Sequence, residues 1–247
     1  MHRPSHASTA RLEASGVGVR FQFDRHERAL TPALARLRRR KTESWGLRDV
    51  SFRIGSGEGV ALIGASGSGK TTLLRLFAGV LSADAGRLQV TGKVGSLLST
   101  EAGLMWLLTG RENAEMLGIL AGLSAAQSRG ALEAIKRRTG LEEAFERPVL
   151  SYSEGMRARL GFAVADEIRP DILLLDEVHE ALDHQYRHIV ADRAEVIRSR
   201  GGIVVAAGHD HPLLESVCDR AIWMAGGHVV QDGAFAEVRR DYLSQVT

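Results

Sequence analysis

The run Gly64-Ala65-Ser66-Gly67-Ser68-Gly69-Lys70-Thr71 places a glycine, four residues, and then Gly-Lys-Thr in order. These residue types at this spacing suit a phosphate chain. Glycines let consecutive backbone N–H groups turn inward around the anion, the lysine carries a charge to the β- and γ-phosphates, and the threonine hydroxyl can sit on Mg²⁺. A helix starting at the end of the run adds its positive dipole end. The expected ligand is ATP with Mg²⁺, held by Gly64, Ala65, Ser66, Gly67, Ser68, Gly69, Lys70 and Thr71, with Thr72 following on the same helix.

A second cluster lies at Ile172-Leu173-Leu174-Leu175-Asp176-Glu177. A buried strand here would deliver Asp176 to the carboxyl edge of a sheet, where ligands bind in open α/β folds. Asp176 is expected to hold Mg²⁺ together with Thr71, and Glu177 to polarise the attacking water. By itself, such a strand ending in an acidic cap is common. A third segment, Tyr152-Ser153-Glu154-Gly155-Met156, reads on its own as a helix start with Ser153 as N-cap.

These residues need elements to hold them. Val17, Val19, Phe21 and Phe23 alternate with polar or small residues, a strand pattern, and a second strand is expected at Leu47–Ile54. Val60–Ile63 before the glycine run and Thr72–Ala78 after it give strand, loop and helix. The stretch from about Thr109 to Leu160 is helical in pattern, over Glu112–Ala121, Ala125–Arg138 and Met156–Ile168, with breaks at Gly140 and Pro148. Strands are expected at Lys93–Leu98, Ile172–Leu175 and Ile203–Ala206, a hairpin at Ala221–Ala225 and His228–Gln231 around Gly226-Gly227, and a surface helix at Ala234–Ser244. A short helix is expected around Pro32 to Arg40. Residues 1–15 are polar and read as a disordered leader, with one large domain from 16 to 247. The resulting class is α/β with a mostly parallel sheet.

The order of the motifs carries a family resemblance. Phosphate loop, helical insertion, Ser-x-Gly at a helix start, Asp-Glu strand, Leu182-Asp183 and strand-His209 together resemble the ABC ATPase cassette over nearly the whole chain from about residue 16. The resemblance implies an ATPase core with an antiparallel β subdomain and a helical subdomain at about 100–165. It also implies two copies arranged head to tail, so that Ser153 and Gly155 of one copy complete the ATP site of the other. Asp183 then lies against the partner copy, and His209 contacts the γ-phosphate and Glu177. Phe21 aligns with the aromatic residue that stacks on adenine; core packing of its strand is the other reading. His211 matches no motif.

A narrower likeness follows. Leu108-Thr109-Gly110-Arg111-Glu112-Asn113, the stretch from Gly118 to Ser124, the Tyr-Ser-x-Gly-Met form at 152–156 and the basic insertion before Trp45-Gly46-Leu47-Arg48-Asp49-Val50 are similar to cassettes that export O-antigen, capsule or teichoic-acid polymers. This implies a permease partner in the membrane and a place on its cytoplasmic face. The chain stops about where the cassette ends, so no further carbohydrate-binding domain is expected. There are two departures. No glutamine occurs between Gln89 and Gln127, where most cassettes carry one that binds Mg²⁺; Ser99 and Glu101 are the nearest substitutes. His179-Glu180-Ala181 before Leu182-Asp183 is closer to the general ABC pattern than to polymer exporters. Other transport classes, or a weakly hydrolysing regulatory subunit, are the competing readings.

Composition sets the outer limits. The 247 residues carry a net charge of only +2, so the whole chain is no polyanion binder and no nucleic-acid partner is expected. The one basic concentration, Arg36, Arg38, Arg39, Arg40 and Lys41, reads either as a solvated face or as a contact for anionic lipid or an acidic partner. A single cysteine, Cys218, excludes an internal disulfide. No apolar run approaches the ~20 residues that span a bilayer.

Overall fold

A computed structural model describes residues 10–23, 42–98, 103–177, 182–208 and 211–246. Two sheets divide the strands. β1 (Arg11–Phe23), β2 (Thr42–Ile54) and β4 (Ala85–Thr91) form an antiparallel sheet in the order β2-β1-β4. The larger sheet is built from β3 (Gly59–Ile63), β5 (Val94–Leu97), β6 (Ile172–Asp176), β7 (Ile203–Ala207), β8 (Arg220–Ala225) and β9 (His228–Ala234), in the order β5-β6-β7-β3-β8-β9. All its neighbours pair in parallel except β8 with β9, the hairpin at Gly226-Gly227.

The apolar runs have a direct cause. Every residue of β3, β6 and β7 is buried, because the sheet is covered on both faces. Side chains alternate between the two faces. Leu173, Leu175, Val204 and Ala206 enter a core with the helices α4 (Glu154–Glu167), α5 (His184–Ser199), α6 (His211–Val217) and α7 (Phe235–Val246). Ile172, Leu174, Val205 and Ala207 enter another core with α1 (Lys70–Phe77) and the antiparallel sheet. Each fully buried Leu or Ile contributes about 1.5–3 kcal/mol of transfer free energy. A strand polar on one face could not take part in both cores.

A third core joins α2 (Gly110–Leu120), α3 (Ala125–Thr139), two 3₁₀ turns (Glu142–Glu146 and Val149–Ser151) and the outer side of α4, around Ile135, Phe145, Val149 and Leu160. Helix α4 therefore serves two cores: Ala158 and Phe162 face the sheet, and Leu160, Ala163 and Val164 face the helices.

Several expectations need correction. β1 begins at Arg11, so residues 11–15 belong to a strand and not to a leader; Leu12 and Ala14 are buried in the second core. Strand β2 begins at Thr42, ahead of the expected Leu47. Helix α7 is anchored, since Phe235, Val238 and Tyr242 are buried against the sheet. Strand β4 and helices α5 and α6 were not anticipated. The expected helix around Pro32 to Arg40 and the basic cluster Arg36 to Lys41 lie outside the described residues.

Candidate functional site

The phosphate loop joins β3 to α1, as its spacing requires. Gly64 has φ 144, and a Cβ there would stand 2.2 Å from the carbonyl oxygen of Met224 on β8, so only glycine passes this point. The N-cap of α1 is Gly69, with no side-chain cap and no acidic residue in the first turn. The Leu73 N–H donates to the Gly69 carbonyl (2.9 Å). The N–H groups of the turn before it precede the intrahelical ladder and remain suited to an anion. Lys70 is buried at 4% exposure and its Nζ donates to the carbonyls of Gly64 (2.7 Å) and Ala65 (3.2 Å), so its charge is already folded over the loop.

Asp176 closes β6 beside this loop, with the Thr71 hydroxyl next to its carboxylate. Burial pushes its carboxyl pKa up; the Thr71 hydroxyl, Lys70 and Arg75 oppose that shift, while Glu177 adds to it. Its Oδ1 is buried with no hydrogen-bond partner among the described residues, as is Ser68 Oγ. An orphaned carboxylate oxygen next to a threonine hydroxyl is a donor set that suits Mg²⁺, which takes oxygen ligands. Glu177 follows with φ 51, and its N–H donates to the Ala207 carbonyl at 2.8 Å. That backbone turns the residue out of the strand at the carboxyl edge, where it is exposed.

Phe21 lies on β1 opposite Ser44, with its ring over Gly46; a Cβ on Gly46 would come within 2.4 Å of it. The Gly46 carbonyl in turn abuts Gly69, at 2.9 Å from the position of a Cβ there. Phe21 thus stands two residues' contact from the phosphate loop while also packing on the second core. Both sequence readings of this residue are compatible with its position. Thr72 is half-buried in the first turn of α1.

Ser153 and Gly155 sit elsewhere. Ser153 caps α4, its Oγ accepting the Met156 N–H at 3.2 Å. With Gly140, Leu141, Gly155, Met156, Arg159 and Asp183 it lines an open hollow of about 480 Å³ that contains no phosphate-loop residue. Asp183 caps α5 by accepting the Tyr186 N–H (2.9 Å) and is ion-paired to Arg159. The hollow thus joins the start of α4 to the start of α5. His209, Ser99, Glu101 and the His179-Glu180-Ala181 segment lie outside the described residues. His211 opens α6, its ring 6.1 Å from that of Tyr242.

The Leu108–Asn113 motif acquires a structural explanation. Thr109 and Glu112 form a reciprocal capping box at the start of α2. Fully buried Asn113 accepts the Met105 N–H (2.8 Å) and donates to the carbonyls of Met105 (3.0 Å), Leu108 (3.2 Å) and Thr109 (2.9 Å). It pins the loop before α2 so that Met105, Trp106 and Leu107 project, with Leu107 82% exposed. Leu150, 65% exposed, lies alongside, its N–H donating to the Trp106 carbonyl at 2.9 Å. Sequence reading passed over this apolar surface; the run Met105-Trp106-Leu107-Leu108 before a polar helix start was the available signal.

Comparison with known proteins gives consistent likenesses. A protein-family model for the ABC transporter matches residues 47–180. The Teichoic acids export ATP-binding protein TagH of Listeria monocytogenes serotype 4b (strain F2365) is 35% identical over 198 residues, 80% of this chain and 59% of that protein. The O-antigen export system ATP-binding protein RfbB of Myxococcus xanthus is 35% identical, over 81% of this chain and 46% of its own length. RfbB of Klebsiella pneumoniae is 36% identical over 76% of each chain. The chain thus spans about half the length of several curated relatives it matches. Among solved structures, the post-hydrolysis dimer of the ATP-binding cassette MJ0796 bound to ADP and Pi superposes with a TM-score of 0.74 at 22% identity, covering 91% of this chain and 98% of that one. At that identity the likeness establishes the fold.

Proposed function

The chain belongs to the ABC transporter family, and we propose that it is the ATP-binding and hydrolysing subunit of an exporter of a lipid-linked polysaccharide or related cell-envelope polymer. The observation that carries the hydrolytic reading is the convergence of Lys70, Thr71 and Asp176 at one sheet edge with Glu177 beside them. The cargo reading rests on relatives named for teichoic-acid and O-antigen export.

In this reading the loop N–H groups and Lys70 hold the phosphates, and Lys70 exchanges its two loop carbonyls for β- and γ-oxygens. Thr71 and Asp176 hold Mg²⁺, which when bound neutralises charge on the phosphates. Glu177 accepts a proton from the attacking water as its oxygen bonds to the γ-phosphorus and the bond to the β-bridging oxygen breaks. Catalysis is chiefly positioning and charge stabilisation. His209 retains its expected role beside the γ-phosphate on the strength of its sequence position.

Ser153 and Gly155 serve the second copy. Their place at a helix N-terminus lining a hollow without phosphate-loop residues supports a head-to-tail pair in which each helix N-terminus faces the partner's γ-phosphate. Among the described residues no helix is long and apolar enough to cross a membrane; in this reading a permease partner supplies the crossing. The exposed Met105, Trp106, Leu107 and Leu150 surface fits its docking on the cytoplasmic face.

The test is purification of tagged chain from its native membrane, with ATPase assay alone and with whatever co-purifies. An integral membrane protein and an ATPase that needs Glu177 are the expected results. Absence of any membrane partner would sink the transport reading and leave the ATPase reading standing.

A further inference from the structure

One side chain joins the apolar surface to the helix start that carries Ser153. Arg157, in the first turn of α4, holds its guanidinium carbon 5.2 Å from the centre of the Trp106 ring. Its Nη1 donates to the carbonyl of Tyr152 at 2.7 Å. Tyr152 is the residue before Ser153. The loop bearing Trp106 is also tied to this segment through its backbone, by Leu150 N–H to Trp106 O and Val149 N–H to Leu108 O, both 2.9 Å. Asn113 ties the same loop to α2.

An arginine over an indole is common and contributes little while water reaches it. The second bond gives this one consequence. Anything covering Trp106 removes water from the ring and from the guanidinium, which strengthens the stacking and the bond to Tyr152 together. The carbonyl in front of Ser153 then becomes more firmly held.

We propose that Arg157 is a positioning residue: it couples occupancy of the Trp106 surface to the setting of Ser153. The proposal rests on the reading above that this surface receives a partner and that Ser153 meets the nucleotide of a second copy. Coupling between two sites is reciprocal. Engagement of Ser153 by nucleotide must therefore alter the surroundings of Trp106 even without a permease.

That reciprocity makes the isolated chain sufficient for a test. The chain has three tryptophans, Trp45, Trp106 and Trp223. Trp45→Phe and Trp223→Phe leave Trp106 as the sole reporter, and Glu177→Gln retains bound ATP. Mg²⁺ and ATP are added while pairing is followed by size-exclusion chromatography and Trp106 emission by fluorescence. The expected result is pairing with a shift in Trp106 emission, and loss of that shift in Arg157→Lys while pairing persists. Lysine keeps the charge but lacks the planar fork that reaches ring and carbonyl at once. Should the lysine variant fail to fold, Arg157→Gln replaces it with the same expectation. Pairing with unchanged emission, or an equal shift in the Arg157 variant, overturns the proposal. Failure of the parent to pair overturns the head-to-tail reading first, and the proposal with it.

Discussion

The hydroxyl of Thr71 stands beside the carboxylate of Asp176, bringing the first turn of α1 to the carboxyl end of β6. The two residues come from motifs far apart in sequence, and their meeting turns a phosphate loop into a site with a metal position. Oδ1 of Asp176 is buried and has no partner among the described residues. Such a group is costly while empty and favourable when a cation arrives.

Asp176 gives the first prediction. Its pKa is raised in the folded chain, chiefly by burial. An acid raised in this way stabilises the fold below its ordinary pKa of 3.8, and that contribution is lost as pH rises through the folded value. The ionised carboxylate therefore lowers the stability of the nucleotide-free chain at neutral pH. Asp176→Asn is expected to hold or raise Tm, by about 2–4 °C if roughly 1 kcal/mol is relieved. The same variant loses the extra Tm increase that Mg²⁺ gives with ATP. In the wild type, that Mg²⁺-dependent increase weakens as pH falls through the raised pKa, because the proton competes with the cation. Thermal melts across pH, with ATP and with or without Mg²⁺, check both signs.

Glu177→Gln separates binding from chemistry. The amide keeps shape and hydrogen bonding but cannot take a proton from water. Hydrolysis should fall by about 10²–10⁴-fold, the usual range for loss of a general base, while ATP affinity measured by titration stays close to wild type. Turnover near wild type in this variant removes Glu177 from the mechanism.

Shared sites make a mixing experiment decisive. Lys70→Ala and Ser153→Ala should each be inactive as pure samples. In a mixed pair, one site combines an intact Lys70 from one copy with an intact Ser153 from the other. Random pairing in equal amounts restores roughly a quarter of wild-type turnover for a two-fold head-to-tail pair. If Ser153 acted within its own chain, mixing would restore nothing. Ser153→Ala also loses an N-cap, about 1 kcal/mol, so its Tm is measured alongside.

Much of this was legible because the sequence states local needs plainly. The glycine run, the buried strand ending in Asp176-Glu177 and the capping serine each specify an element without help from distant residues. Strand β4 was readable in principle, since Leu88 and Val90 alternate with Arg87, Gln89 and Thr91, but every one of its residues is exposed or half-buried and Gly86 interrupts the start. Helix α5 shows Tyr186, Val190, Ala194 and Ile197 at helical spacing, yet its overall composition is polar and hides the stripe. Residues 11–15 looked like a tail because Arg11, Glu13 and Ser15 face outward while Leu12 and Ala14 bury. The Trp106–Arg157 contact was not readable at all: it depends on a loop held by Asn113 from the following helix.

Gly110 provides the last prediction and tests how the narrower motif supports the site. A Cβ at Gly110 would lie 2.2 Å from Tyr152 Oη and 3.0 Å from the Phe145 carbonyl. Tyr152 Oη is not free to yield, because it donates to the Ala144 carbonyl at 2.7 Å. Gly110→Ala must displace the tyrosine, at a cost of about 1–3 kcal/mol for overpacking, with a further ~1 kcal/mol if the hydrogen bond breaks. The displaced residue adjoins Ser153, so ATP-driven pairing should suffer more than nucleotide binding, whose residues lie on the loop between β3 and α1. Tyr152→Phe removes the colliding oxygen. In the Gly110→Ala background it should therefore destabilise less than it does in the wild type, or even stabilise, giving a coupling of more than about 0.5 kcal/mol in a double-mutant cycle. Additive effects on Tm and unfolding free energy would mean that the two residues do not press on one another, and that the glycine of this motif is required for something other than the tyrosine in front of the serine.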